Sequence, residues 1–217
     1  MIKHILFDCD GVLIDTEIVA AEVVTNWLNG ENVAIDIEEF IREYTGKTFT
    51  DIINILKDNG SLKPDLDLTT VVPKLDGFIR DSQRPIDGVW DMLNSLTIPR
   101  SVVSNSAKDY VELALEKLKI THHFDGRIYS AEMVVKGKPD PAVYALALSE
   151  LSLTKEEVIV VEDSVAGVTA AKAAGLKTIG YLGGSHIRDG HADQLLRAGV
   201  DMLVHNHTSL SHQLLQL

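Results

Sequence analysis

An Asp-x-Asp-Gly run, Asp8-Cys9-Asp10-Gly11, follows the first apolar stretch of this 217-residue chain. Side chains alternate along a strand, so Asp8 and Asp10 share one side of the strand end and Cys9 takes the other. Two carboxylates placed in this way can divide the work of phosphoryl transfer, one attacking phosphorus and the other moving a proton. Ser104 and Asn105 follow a second apolar stretch and offer a hydroxyl and an amide to a phosphoryl oxygen, whereas Ser106 by itself reads as a plain helix cap. Lys138, held before Pro139, can neutralise a carboxylate and a phosphate together. Glu162 and Asp163 end another apolar run, where charges are costly unless they bind a metal or a partner. Their oxygens suit a hard cation such as Mg²⁺.

Each segment alone has an ordinary explanation: a charged turn, a helix cap, a solvated loop. All four stand in order at the ends of apolar runs and together supply nucleophile, proton carrier, phosphate clamp and metal ligands, so coincidence is the weaker account.

The elements that must position them are legible from pattern. Short runs rich in Val, Ile and Leu occupy residues 2–7, 100–103, 158–161 and 177–181, each followed by turn residues and a helical period. This alternation predicts an α/β fold, a doubly wound, Rossmann-like parallel sheet covered on both faces. Ligands in such sheets bind at the carboxyl ends of the strands. Helix starts are expected at Ser106, at Asp140-Pro141 and at Ser164, the last helix running to a stop at Gly175. Residues 16–81 differ, with apolar residues at helical spacing such as Ile37, Phe40, Ile41 and Tyr44 and no convincing strand. They read as an all-helical insert between the first strand and the rest of the sheet, leaving residues 1–15 and 82–217 to the α/β core. A further helix over 70–79 is expected, with Pro73 blurring its start. A short strand near 202–205 and a final helix complete the pattern.

Composition narrows the partners. A net charge of −12 without a basic run argues against nucleic acid. One cysteine leaves neither a disulfide framework nor a Cys-based zinc site and suits a reducing compartment. No signal-peptide layout and no apolar run of about 20 residues is present, so a cytoplasmic protein is expected, away from membranes. His122, His123, His186 and His191 show no metal-ligand spacing, and solvent-facing roles are their default.

Asp8-x-Asp10-Gly11-Val12-Leu13 with Asp15, then Ser104-Asn105, Lys138-Pro139 and Glu162-Asp163-Ser164, resemble the motifs of the haloacid dehalogenase superfamily over nearly the whole chain. The subgroup is that of β-phosphoglucomutase and small sugar-phosphate phosphatases. The resemblance implies that Asp8 forms an aspartyl-phosphate and binds Mg²⁺. Asp10 would protonate the leaving group, activate water and lend its backbone carbonyl to the metal. Asp163 would complete the metal site, with Glu162 supporting it directly or through water. Ser104 and the Asn105 backbone would hold phosphoryl oxygens, and Lys138 would bridge Asp8 and the phosphoryl group. The helical insert, residues 16–81, would be the family's mobile cap domain closing over the catalytic core, Gly46 and Lys47 match the family's cap specificity loop, and Asp15 would serve hinge or substrate.

The resulting expectation is an Mg²⁺-dependent phosphatase of a small phosphorylated metabolite, a sugar phosphate or a sugar-acid phosphate such as 6-phosphogluconate, working as a monomer. The nearest alternative is a phosphosugar mutase, but the mutases carry a cap histidine where Ala20 stands here. A non-catalytic phosphometabolite-binding protein would be expected to have lost a motif residue, and none is lost. Gly46-Lys47-Thr48 resembles a P-loop end, yet the earlier glycine would fall at Ile41. A cysteine phosphatase built on Cys9 needs an arginine where Asp15 stands, so Cys9 reads as sheet packing.

Overall fold

The central strand runs are apolar without alternation because both faces of the sheet are covered, and the computed structural model shows β1, β2 and β4 buried along their whole length. It describes every residue except Thr45, Gly46, Thr48 and Asp125. The chain divides into two compact units, one formed by Met1–Asp15 with Pro85–Leu217 and the other by Thr16–Arg84.

In the first unit, β1 (His4–Phe7) is followed after the insert by α5 (Val89–Ser95), β2 (Arg100–Ser104) and α6 (Lys108–Lys117). Then come β3 (Ile128–Ser130), α7 (Ala142–Leu151), β4 (Val158–Glu162) and α8 (Val165–Ala173), and finally β5 (Lys177–Tyr181), α9 (His191–Ala198), β6 (Met202–Val204) and α10 (His207–Leu214). The sheet is parallel throughout, in the order β3-β2-β1-β4-β5-β6. The chain therefore builds outward from β1 in one direction, returns, and builds outward from β4 in the other. The β1/β4 junction is the switch point where such sheets bind ligands.

The period of two sorts the strand residues onto two cores. Ile5, Phe7, Val102, Ile159, Val161 and Ile179 join the helices of one face. Leu6, Val103, Val158 and Val160 pack with Tyr144, Ala147, Ala170 and Ala171 on the other. Cys9 lies fully buried in the first of these clusters, as a packing residue. Phe7 pairs with Val102 on one side and Val161 on the other, so the carboxyl ends of β1, β2 and β4 lie at a common edge. Asp8, Ser104 and the pair Glu162 and Asp163 stand at those ends.

Three elements of this unit escaped the sequence reading. β3 has only three residues, too few to show a period, while α5 and α9 are helices of seven and eight residues. At the second β-strand's exit the expected cap is also corrected: Ala107, not Ser106, sits at the N-cap of α6, and the Ser106 hydroxyl turns elsewhere. Ser164 does cap α8, accepting from Gly167 N at 2.9 Å.

The second unit contains α1 (Thr16–Gly30), α2 (Ile37–Tyr44), α3 (Phe49–Asp58) and α4 (Leu68–Ser82), with no strand among its described residues. Val24, Leu28, Phe40, Ile41, Ile52, Ile53, Leu56 and Leu75 give it an apolar core of its own. The fourth helix starts earlier than the sequence suggested because Asp67 caps it. Its carboxylate accepts from Thr69 N and from the Thr69 and Thr70 hydroxyls at 2.7–3.0 Å, and the helix runs on through Pro73. Among the described residues no helix is long and apolar enough to cross a membrane.

Candidate active site

Lys138 is the hub of the site. Its ammonium donates to Asp8 Oδ1 at 2.7 Å, to Glu162 Oε1 at 2.6 Å and to the carbonyl of Val103 at 2.7 Å, and its side chain is 3% exposed. A buried ammonium with three acceptors is fully satisfied. Burial alone would depress the lysine, but the Asp8 and Glu162 carboxylates outweigh it and hold its pKa well above the usual range. The loop carrying Lys138 is tied to β2's exit by a reciprocal pair: Lys138 N donates to Asn105 Oδ1 at 2.8 Å, and Asn105 Nδ2 donates to Lys138 O at 2.9 Å. The Asn105 side chain thus positions Lys138, which corrects the reading that its carboxamide faces a phosphoryl oxygen. A Cβ at Gly137 would lie 2.6 Å from Asn105 Oδ1, so a larger residue would separate this pair.

Asp8 is buried and accepts from Lys138; its own N–H donates to Val161 O at 2.9 Å, extending the β1/β4 ladder by one residue. Burial and then the neighbouring Glu162 carboxylate push its pKa well up, with Lys138 pulling in the opposite sense. Asp10 is more exposed. Its Oδ2 accepts from the Ser106 hydroxyl at 2.8 Å, with Ser104 Oγ farther off at 3.4 Å. Ser104 Oγ accepts from Ser106 N at 3.0 Å, so the two serines form one small network around Asp10. The two aspartates therefore differ in surroundings, one in a dry ionic cluster and the other in a half-open hydroxyl setting.

Asp8, Glu162 and Asp163 each bring a carboxylate oxygen within 4.8 Å of the others, and all three are buried. One ammonium against three buried carboxylates leaves excess negative charge, which is costly without a further cation. Oxygen donors of this kind fit a hard divalent ion such as Mg²⁺, so the residues present suit the metal that the sequence implied. Glu162 is the most committed of the three. Its Oε1 faces Lys138 and the Tyr144 hydroxyl, at 3.3 Å, and its Oε2 accepts from Ser164 N and Ser164 Oγ, both at 3.0 Å. This arrangement makes it the anchor of Lys138. The missing side chain of Gly167 makes room for it, since a Cβ there would lie 1.7 Å from Glu162 Oε1.

Asp163 is held from the segment that runs from β5 to the first residue of α9. His186 Nε2 lies 3.2 Å from Asp163 Oδ2, and His191 Nε2 lies 2.6 Å from the Asp163 carbonyl. Both contacts correct the solvent-facing reading of these histidines. His4 and His207 are buried too, the first against Ser101 Oγ at 2.8 Å and the second against the carbonyls of Val12 and Asp87 at 2.9 Å. Tyr144, Ser106, His186 and His191 had no motif signal, because their partners are 18 to 96 residues away in the chain.

Asp15 is buried and accepts from both the N–H, at 3.0 Å, and the hydroxyl of Ser185, within the first unit. Lys47 belongs to the helical unit, is exposed, and donates to Glu43 O at 2.7 Å. Gly46 lies outside the described residues.

The chain is similar to known proteins over most of its length. Residues 5–181 match the family described as haloacid dehalogenase-like hydrolase. The chain is 27% identical over 187 residues to the 6-phosphogluconate phosphatase of Escherichia coli K12, covering 85% of each chain. It is 30% identical over 216 residues to the phosphorylated carbohydrates phosphatase of Thermotoga maritima, covering 93% of this chain and 94% of that one. A hydrolase structure from Deinococcus radiodurans R1 with bound phosphate and sodium superposes with a TM-score of 0.89 at 28% identity, covering 99% of this chain and 96% of the other. The motifs, the switch-point geometry and the match across most of its length lead to one conclusion: the chain belongs to the haloacid dehalogenase-like hydrolase family.

Proposed function

We infer that this phosphatase hydrolyses a small phosphorylated metabolite, of the sugar-phosphate or sugar-acid-phosphate class, through an aspartyl-phosphate on Asp8 and with Mg²⁺ as cofactor. The observation that carries the reading is the buried cluster itself: a strand-end carboxylate, Asp8, bonded at 2.7 Å to an ammonium and set among further carboxylates that suit a divalent ion. The substrate class is supported by relatives named for 6-phosphogluconate and for phosphorylated carbohydrates.

In the first step an Asp8 oxygen attacks phosphorus, the P–O ester bond breaks, and Asp10 passes its proton to the leaving oxygen. In the second step water attacks the phosphorus of the acyl phosphate, its proton goes to Asp10, and the bond to Asp8 breaks to release inorganic phosphate. Asp10 suits both roles because its half-open hydroxyl setting leaves it in reach of water, while Ser106 holds its orientation. Lys138 offsets charge on Asp8 and on the phosphoryl oxygens, and Ser104 with the Asn105 backbone supplies further donors to those oxygens. Mg²⁺ held by Asp8, Asp163 and the Asp10 carbonyl would spread the negative charge that builds up during transfer. Gly46 and Lys47 are the proposed selectivity residues of the helical unit. The same reading makes the protein a cytoplasmic monomer, in keeping with its one, buried, cysteine.

The test is release of inorganic phosphate from sugar phosphates, sugar-acid phosphates and phosphoglycolate, with and without Mg²⁺, for the native chain and for Asp8→Asn. Metal-dependent turnover that Asp8→Asn abolishes is the expected result. Undiminished turnover in Asp8→Asn would overturn the covalent scheme, and sugar isomers without phosphate release would replace it with a mutase.

A further inference from the structure

The stretch from β5 to the first residue of α9 carries no motif, yet it returns to the catalytic edge at three points. Ser185 donates to Asp15, His186 Nε2 reaches Asp163 Oδ2 at 3.2 Å, and His191 Nε2 reaches the Asp163 carbonyl at 2.6 Å. The His186 ring is buried, at 8% exposure, and lies edge-on to His191 with ring centres 6.2 Å apart. Two glycines permit this approach. A Cβ at Gly11 would lie 1.9 Å from Asp163 Oδ2 and 3.0 Å from His186 Cε1, and one at Gly184 would lie 2.8 Å from the same Cε1 and 3.0 Å from Gly11 O. Gly11 also has a φ of +79°, which disfavours any side chain there.

We propose that His186 is a positioning residue for the divalent cation: its Nε2–H holds one Asp163 oxygen so that the carboxylate meets the ion already oriented. This rests on the metal reading of the proposed function. The side chain of a free aspartate rotates about two bonds, and a ligand that must be ordered on binding loses affinity. Asp163 is instead held at both ends, by His186 on the carboxylate and by His191 on the main chain. Outer partners of this kind are worth about 10- to 100-fold in metal affinity where they have been removed from other sites.

The experiment is titration of the intact protein with Mn²⁺, as an observable substitute for Mg²⁺, by calorimetry and by the electron paramagnetic resonance of the free ion, without substrate. The variants are His186→Leu, His186→Gln, His186→Asn and Asp163→Asn. The amide nitrogen of glutamine reaches the place of Nε2, whereas that of asparagine reaches only the place of Nδ1. The expected result is a dissociation constant raised about 10-fold or more in His186→Leu and His186→Asn, and within about threefold of the native value in His186→Gln. A purely structural role would not distinguish glutamine from asparagine. If His186→Leu does not fold, the glutamine and asparagine pair decides. Native affinity in a folded His186→Leu, or equal affinity in the glutamine and asparagine variants, overturns the proposal while leaving the metal reading intact. Absence of Mn²⁺ binding by the native chain, or an Asp163→Asn variant that binds as the native chain does, overturns both.

Discussion

Replacing Lys138 by Met keeps the length of the side chain and most of its apolar stem but removes the ammonium and its three donated hydrogen bonds. Asp8 Oδ1 and Glu162 Oε1, which lie 2.7 and 2.6 Å from Nζ, would then face the same gap with no cation between them. The Val103 carbonyl, 2.7 Å from Nζ, would lose its donor as well. Removing one member of a buried ionic cluster costs about 3–5 kcal/mol, because the remaining charge is left uncompensated. The extra apolar area of Met offsets at most about 1 kcal/mol of this, since the stem it replaces was already buried. A domain of this size loses about 2–4 °C of melting temperature per kcal/mol, so the fall should be about 5–20 °C. Urea denaturation with an unchanged slope and a lowered midpoint is the assay, run without added metal. Glu162→Gln in the Lys138→Met background removes one of the two opposed charges and should restore about 2 kcal/mol, a non-additive result expected of groups in contact. A Lys138→Met protein within about 1 kcal/mol of the native stability, with no recovery in the double variant, would refute the view that the site is held together as an ionised cluster.

Two helical glycines should respond with opposite signs to alanine. At Gly77 a Cβ meets nothing within 4 Å, so Gly77→Ala should stabilise by about 0.5–1 kcal/mol. At Gly167 the same change drives Glu162 away from Lys138 and Ser164 and should destabilise by about 1–3 kcal/mol, and a higher urea midpoint for Gly167→Ala would contradict the packing described. The pH dependence of stability should carry a histidine contribution. Burial, and secondly the Arg127 charge, lower the pKa of His4 from 6.5 to about 4. A folded-state value below the unfolded one means that the native state prefers the neutral ring, so this contribution is complete above about pH 6.5 and is lost as pH falls towards 4. His4→Gln should flatten the slope of stability between pH 6.5 and 4; equal slopes in both proteins would count against it.

Much of this molecule was set by local chemistry and could be read along the chain. The buried strands are continuous runs of Val, Ile and Leu because both faces of the sheet are covered, and Ser164 announces α8 because an N-terminal turn needs an acceptor. Asp8, Glu162 and Asp163 were recognisable because charge at the end of an apolar run demands a partner, and Lys138 because a lysine held before a proline suits a fixed charge. Where the partners lie was another matter. The roles of Asn105, which clamps the Lys138 loop, of Ser106, which turns to Asp10 instead of capping α6, and of Glu162, which anchors Lys138, depend on contacts across 24 to 96 residues. His186 and His191 carry no local signal at all, since nothing in their own segment shows that the switch point brings Asp163 beside them. Residue type and period thus determined most strands, most helices and the principal charged groups of the site. Only the tertiary structure, by bringing the ends of β1, β2 and β4 to one edge and excluding water from it, decided which charges meet and which side chains hold them in place.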